Sequence, residues 1–600
     1  MCAQSCKIEV FGERELMCFR KYFVILVVSI TFWFLYFLSL ALAYPICLSS
    51  RSTDPLVLVN SLFPLFYAVV PLFVSFCFLC AFCDIRNKYV HVALLVQLSV
   101  MLWITPFYLS GFSYVNDSLY HVGVSNHIYE ALKNDTTSYL YTYGKEYPVS
   151  FIFNHVFMEI LGVNSFFYAQ LIYPIFCAIA TVFLWYTFIS HFLRRKIAFV
   201  STIFAMLALG SIPQIHVSPH SEGTILLMVS VLLLIAHQNI KTQALGLFSS
   251  FILTLTHPIS PLVLVFFLLA LYITRFANMN AHIRSRILGR TIFFVVVIWC
   301  IWSFFATMHV GGEMARGLYK LATLDFSSEF QDAITKTTST TYYLYPEIKI
   351  LTKIANYSIL CIALISLCKL IVDLDVGRGI RRLFLQLKSH TRASHATDLY
   401  FLAVAFLCFS FSVPLLLSGL GGSGFMERSY FFFVFAIMAY IGSILQGSLI
   451  NARRTWKKKF AILSLTTWFV FLALIYPMTA YHTDAYTACP FSEGIGMNFV
   501  SSKTLLDTKT ISVYLPQQFA SYVDPRTQIN PLYCRVSSFG ENFSDIVVFR
   551  RTGYFSASLG YDLSLDNNSY TRALNRIELF SNFSKIYSNP TFEVYTKSQE

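Results

Sequence analysis

The chain has 600 residues, of which 56% are hydrophobic and only 12% charged, with a formal net charge of +13. A soluble domain carries roughly one charged residue in four, so water is not the main solvent of this sequence. The positive balance does not make it a nucleic-acid binder, because no stretch combines a basic stripe with a soluble fold; the charges mark topology instead.

Apolar stretches recur from Phe23 to Pro477, so the first reads as a retained span and not as a cleaved signal. Crossing some 30 Å of hydrocarbon takes about 20 apolar residues, and the absence of water forces them into helix. About thirteen segments fit, several of them short. In chain order they are Phe23 to Tyr44, Ser61 to Phe82, Val90 to Leu109, Phe166 to Ser190, Ile197 to Ile212, Thr224 to Ala236 and Ala244 to Leu255. Then come Ile259 to Ile273, Thr291 to Phe305, Ile354 to Val372, Leu399 to Leu420, Ser429 to Leu445 and Phe460 to Pro477. The pair Ala244 to Leu255 and Ile259 to Ile273 also suits a re-entrant hairpin, which leaves the downstream orientation unchanged.

Lys and Arg gather in alternate loops: the N-terminal tail, Arg86 with Lys88, Arg194 to Lys196, Arg275 to Arg290, Arg378 to Arg392, and Arg453 to Lys459. The positive-inside rule makes these cytoplasmic, with the N-terminus. The loop 110–165, the turns at 216–222 and 257, the loop 308–353 and the segment 419–428 then face outward. Glycosylation-type Asn-x-Ser/Thr patterns at Asn116, Asn134, Asn542, Asn567 and Asn582 all fall on that side, and Asn356 lies at a boundary. Residues 1–480 therefore read as a multi-spanning domain. Residues 481–600 read as a small extracytoplasmic mixed α/β domain, from runs such as ISVYL, IVVF and FEVY. One disulfide, Cys489 with Cys534, is open to it in an oxidising compartment. Cys77, Cys80 and Cys83, at helical spacing in one span, read as packing, since a lipid-embedded stripe lacks convergent ligands and a second shell.

Polar residues near a bilayer are costly, and nearly all of those here fall at the outer ends. In NDSLYH, Asp117 and His121 are four apart and share one face if the stretch is helical. A carboxylate there suits accepting the proton of an incoming hydroxyl, with His121 holding it or sharing the proton. The alternative is a solvated loop acid. His127 and Glu130 fit an amphipathic interfacial helix equally well. In QIHVSPHSEG, His216, His220 and Glu222 are placed to meet at a span's end. Imidazoles four apart suit a metal, but Pro219 interrupts the helix this requires, which favours substrate hydrogen bonding. His257, in THPISP, is a third outer histidine, of a kind more often structural than catalytic. Arg428 follows Glu427 at the start of an aromatic span; its planar, permanently charged fork suits a lipid phosphate, against snorkelling or an ion pair with Glu427. Glu313, Arg316 and Lys320 have helical spacing in the loop 308–353. Asp373-Leu-Asp375 and the glycines at 419–424 imitate nucleotide-binding motifs without the surrounding fold.

The order NDSLYH, YPVSF, HVSPHSEG, THPISP, ER before an aromatic span and KIYSNPTFEVY resembles archaeal multi-spanning GT-C-type glycosyltransferase-like membrane proteins, over most of the chain from about Val90. The resemblance implies an α-helical polytopic fold. It also implies transfer of a sugar from a polyprenyl or dolichyl phosphate carrier to a glycan, lipid or protein acceptor at the non-cytoplasmic face. It places Asp117 at the catalytic acid, with His121 beside it, and Arg428 at the carrier phosphate. Glu427, Arg316, His216, His220, Glu222 and His257 remain candidates for lipid-phosphate or substrate binding. No cofactor is fixed by it, a divalent metal being the one candidate. The chain departs from the pattern in lacking a second acid next to Asp117, and two spans precede the one leading into this loop. It also lacks a WWDYG motif, which argues against en bloc transfer to protein. A flippase for lipid-linked glycans and a noncatalytic scaffold are the competing readings; the concentration of polar residues at the outer ends, and not along a path through the bilayer, favours the enzyme.

Overall fold

The structure, a computed structural model, describes residues 2–49, 64–82, 87–110, 116–126, 144–164, 167–208, 215–236, 240–276, 282–307, 393–417, 431–443 and 455–480. It also describes isolated positions among 59–62, 128 and 312–361, and five strands between 510 and 597. Up to Ala480 the extended elements are helices, as chain without water to satisfy its amides must be. They are α1 (Cys2–Ser49), α2 (Pro64–Phe82), α3 (Lys88–Ser99), α4 (Thr105–Ser110), α5 (Asn116–Asn126), α6 (Pro148–Leu161), α7 (Tyr173–Phe192), α8 (Arg195–Ala208) and α9 (Pro219–Ala236). There follow α10 (Ile240–Thr256), α11 (Ser260–Phe276), α12 (His282–Ile301), α13 (Ala393–Leu417), α14 (Phe431–Ser443) and α15 (Thr455–Ala480). Wider π-helical turns at Val100–Ile104, Tyr168–Ile172 and Trp302–Ala306 join α3 to α4, lead into α7 and end α12.

Five helical stretches are long and apolar enough to cross a membrane: Arg20–Ile46, Pro64–Ala81, Lys88–Leu109, Tyr168–Phe192 and Leu288–Phe305. Six shorter apolar helices accompany them among the described residues. The chain is a helical multi-pass membrane protein. On α1, Leu26, Ile30, Phe34 and Phe37 are exposed, which in water is an aggregation hazard and in lipid is the expected outer face. The two short segments expected around Ala244 and Ile259 are the 17-residue helices α10 and α11, longer than hydropathy alone suggested.

Aromatic packing holds the interior together. Trp185, Phe188 and Phe192 on α7 meet Phe435 on α14 and Tyr400 and Phe401 on α13, with Phe192 stacked on Tyr400 at 4.7 Å. Buried polar groups pair across helices instead of facing lipid. Gln97 on α3 donates through Nε2 to the Ser29 carbonyl on α1 at 3.0 Å and accepts from the Ser29 hydroxyl. The Tyr36 and Thr105 hydroxyls are 2.9 Å apart where the chain turns through the first π segment. Gly442 crosses α8 so closely that an added Cβ would overlap Ser201.

Beyond Ala480 the described residues form a five-stranded mixed sheet of order β2-β1-β3-β5-β4, from β1 (Thr510–Val513), β2 (Pro531–Leu532), β3 (Ile546–Arg550), β4 (Phe583–Asn589) and β5 (Phe592–Lys597). β1 is parallel to both β2 and β3, with Ser512 opposite Pro531 and Ile511 opposite Val547. Parallel pairs need crossovers, and Pro531 is tolerated because β2 is an edge. β5 pairs antiparallel with β3 and with β4, where Asn589 faces Phe592. The runs read from sequence as strands coincide with β1, β3 and β5. Helices for that region, its placement outside the membrane, and the pairing of Cys489 with Cys534 concern residues outside those described.

Candidate functional site

The stretch 110–165, expected as one long outer loop, carries two helices. In α5 the four-residue spacing of Asp117 and His121 is helical, as anticipated. The His121 ring is buried and lies 5.7 Å from the Phe151 ring on α6, against which α5 packs. The side chain of Asp117 lies outside the described residues.

Pro148 opens α6, where its fixed φ and missing N–H cost nothing. Gly162 closes it at φ 60°, donating to the Glu159 carbonyl at 3.2 Å, a left-handed geometry that favours glycine. One face of α6 presents Ser150 and Asn154, four apart. Both donate to Glu222: Asn154 Nδ2 to Oε1 at 2.6 Å, and Ser150 Oγ to Oε2. Tyr173 Oη donates to the same Oε1 at 2.9 Å, and Tyr168 Oη to Asn154 Oδ1 at 2.6 Å.

Tyr168 and Tyr173 are five apart, which on an α-helix points side chains roughly 140° away from each other. The π segment Tyr168–Ile172 turns more slowly, with bonds from i to i+5, and brings both hydroxyls to one side. Their rings are 5.7 Å apart, edge to face. Glu222 is 6% exposed and has no Lys or Arg paired with it among the described residues. Its carboxyl group is met by three donors, in the first turn of α9.

His216, His220 and Glu222 all lie at the start of α9. No helix carries both histidines, in keeping with the expected interruption at Pro219: this residue begins α9, and Ser218 precedes it as the cap, its carbonyl accepting from Ser221 N at 3.0 Å. His216 therefore lies before the helix and His220 within its first turn. Around α9, Glu222 turns to α6 and α7, while the His220 ring lies 5.1 Å from that of His257, at the α10–α11 turn. His257 caps α11: Ser260 N donates to Nδ1 at 3.3 Å and the Ser260 hydroxyl lies 2.9 Å from the same atom. An N–H can only donate, so Nδ1 accepts and the ring hydrogen is on Nε2. Gly223 permits this approach; a Cβ there would stand 2.7 Å from Ser260 Oγ and 3.0 Å from His257 Cβ.

Two indoles, Trp299 of α12 and Trp302 of the π segment that ends it, pin the neighbouring turns, Trp299 Nε1 donating to the Pro258 carbonyl at 2.8 Å and Trp302 Nε1 to the Glu146 carbonyl at 3.0 Å. Among the described residues no group of three or more His, Cys, Asp or Glu is placed to hold a metal ion. Cys77 and Cys80 are buried and in no disulfide among the described residues; Cys83 lies outside them. Glu427, Arg428, Arg316, Glu313, Lys320, His127 and Glu130 also lie outside them.

The site thus joins helices from four places in the chain: α5 with α6, the start of α7, the start of α9 and the start of α11. It offers a buried acid, amide and hydroxyl groups that orient it, and two imidazoles in contact. Such a set holds polyhydroxylated or anionic ligands by hydrogen bonds and transfers protons without a metal.

No protein-family model matches the chain, and no curated protein does. Two solved structures of ArnT from Cupriavidus metallidurans are similar to it, one in the apo state and one bound to undecaprenyl phosphate. Their TM-scores are 0.35 and 0.34, each at 12% identity, covering 84% of this chain and 97% of that one. A likeness at these scores carries no inference of function.

Proposed function

We propose that the chain is a GT-C-like glycosyltransferase that moves a sugar from a polyprenyl or dolichyl phosphate carrier to a glycan, lipid or protein acceptor at the non-cytoplasmic face. One observation carries the reading: a buried acid with its donors, and two imidazoles, gather at one end of an otherwise apolar bundle, next to the helix that bears Asp117 and His121. The sequence resemblance places its catalytic acid on that same helix.

In the proposed reaction Asp117 accepts the proton of the acceptor hydroxyl as its oxygen attacks the anomeric carbon. The bond from that carbon to the carrier phosphate breaks, and the phosphate leaves with the electron pair. His121 holds or shares the proton. Arg428, with Arg316 in the same role and Glu427 as its ion-pair partner, receives the departing phosphate, for which a guanidinium fork is suited. Glu222 has all its described bonds within the protein, so its part is to fix α6 and α9, while His216, His220 and His257 line the sugar side. The apolar grooves between helices take the polyprenyl chain, and residues 481–600 shape acceptor access.

The test is transfer from a panel of labelled polyprenyl-phosphate sugars in membranes holding the full chain, comparing wild type with Asp117→Asn at equal folded abundance. Transfer by wild type that drops about a hundredfold or more in Asp117→Asn supports both the reaction and its acid. Equal transfer by both removes Asp117 from the mechanism. No transfer by wild type across a broad donor and acceptor panel favours the flippase or scaffold.

A further inference from the structure

Along its length α6 meets the ends of three other helices in turn. Trp302, in the π segment that ends α12, donates to the Glu146 carbonyl just before it. Ser150 and Asn154 then reach Glu222 in the first turn of α9, and Phe157 meets the rings of Tyr168 and Phe176 near the start of α7, at 6.0 and 5.8 Å. A helix that touches three such ends one after another lies across them and not beside them. Its 14 residues rise roughly 21 Å, short of the hydrocarbon thickness of about 30 Å. The chain enters the spanning stretch Tyr168–Phe192 directly after it, so α6 begins and ends on one side of the membrane.

Around its axis α6 has three faces. Ser150, Phe151, Asn154 and Met158 are buried against the protein. Ile152, Phe153, Val156 and Ile160 fall within an arc of about 100°. All four are exposed, Ile160 by 74%. His155 and Glu159, four apart, separate that arc from the buried face on one side, the first half-buried and the second exposed. On the other side the apolar arc continues onto α7: Phe153 is stacked on Phe157 at 5.5 Å and lies 6.4 Å from Phe176. Phe176 is itself exposed, and with Ile179 and Phe183 it forms the outward stripe of a membrane-spanning helix. The apolar face of α6 is thus continuous with a surface that hydrocarbon covers.

We infer that α6 is a membrane-surface helix, lying in the plane of the bilayer and sunk into one leaflet, with Ile152, Phe153, Val156 and Ile160 among the lipid chains. His155 and Glu159 then stand at headgroup level, and Ser150 and Asn154 turn inward to Glu222. An apolar arc beside a polar one is the pattern that holds a helix at this depth. By the distribution of Lys and Arg the leaflet is the non-cytoplasmic one. One helix thus separates the lipid of that leaflet from the buried acid, and this holds whether or not the chain transfers a sugar.

The experiment places the full-length protein in phosphatidylcholine vesicles, with a ketone-bearing amino acid coupled to a nitroxide singly at 152, 156, 159 or 160, and at 183 on α7 as the lipid reference. Collision of each label with oxygen, which concentrates in hydrocarbon, is compared with collision with a polar nickel chelate, which stays in water. At 152, 156 and 160 the ratio is expected to favour oxygen as it does at 183, by about tenfold or more over that at 159, since hydrocarbon excludes the polar complex. A ratio at 156 and 160 equal to that at 159 means that water covers the face and overturns the inference. Exclusion of both reagents there means that protein covers it, a second copy for instance, and overturns it equally. The unsubstituted chain gives an independent reading with a diazirine-bearing phosphatidylcholine. Adducts on Ile152, Val156 or Ile160 are expected, and labelling of α7 without any on α6 contradicts the placement.

Discussion

At the scale of single residues, the Glu222 carboxylate depends on its donors, and the donors differ in what they support. Tyr173→Phe removes a hydroxyl that donates directly to a buried carboxylate, so a loss of about 1.5–3 kcal/mol is expected, read as a lower midpoint of thermal unfolding in detergent. Tyr168→Phe touches only Asn154 and is expected to cost about 1 kcal/mol. Equal midpoints for Tyr173→Phe and wild type would show that the tyrosine does not hold the acid. Gly223→Ala crowds Ser260 and His257 and is expected to cost about 1–3 kcal/mol in the same measurement. Part of this was legible in the sequence. The spacing of Asp117 and His121 gave the helix, and the outer turn at 216–222 was marked as polar. The partners of Glu222 were not, because neighbours in sequence do not share a direction around a helix: His220 and Glu222 are two apart and point to different helices. Tyr168 and Tyr173 were hidden by the π turn, which has no signature in residue type, and Ser150 and Asn154 by reading their helix as loop.

Among elements, hydropathy located the long helices well, because lipid leaves a 20-residue apolar stretch no alternative. It failed at α6, where Asn154, His155 and Glu159 interrupt the apolar run and give it the look of an outer loop. The polar residues that hid the helix are the ones that make the site. Contacts between helices were equally invisible, being set by register. Gln97→Leu deletes the pairing of α3 with α1 and is expected to cost about 0.6–1.7 kcal/mol, the range for hydrogen bonds between membrane helices. Gly442→Ala is expected to cost more, since the Ser201 side chain must turn aside and the crossing of α8 and α14 must loosen to admit the methyl group. A midpoint higher for Gly442→Ala than for Gln97→Leu would contradict the close crossing.

For the whole molecule, polar groups gather at two ends of the bundle: Glu222 with α5 and α6 at one, Arg195 with His91 at the other. Single cysteines at the exposed positions Asn126 and Arg194 are therefore expected to label with a membrane-impermeant maleimide from opposite faces of oriented vesicles. Labelling of both from one face would overturn the topology. Alternating Lys and Arg carried this orientation in the sequence, while the relative placement of α5, α9 and α11 needed three dimensions.

The central claim is that carrier phosphate chemistry belongs to the Glu222 end. The most direct measurement is photo-crosslinking of the full-length protein with a diazirine-bearing polyprenyl phosphate, adducts being mapped by mass spectrometry. The account predicts adducts on α5, α6 and the first turn of α9, competed by unlabelled polyprenyl phosphate. Competable adducts confined to the Arg195 end, with none on those helices, would contradict it.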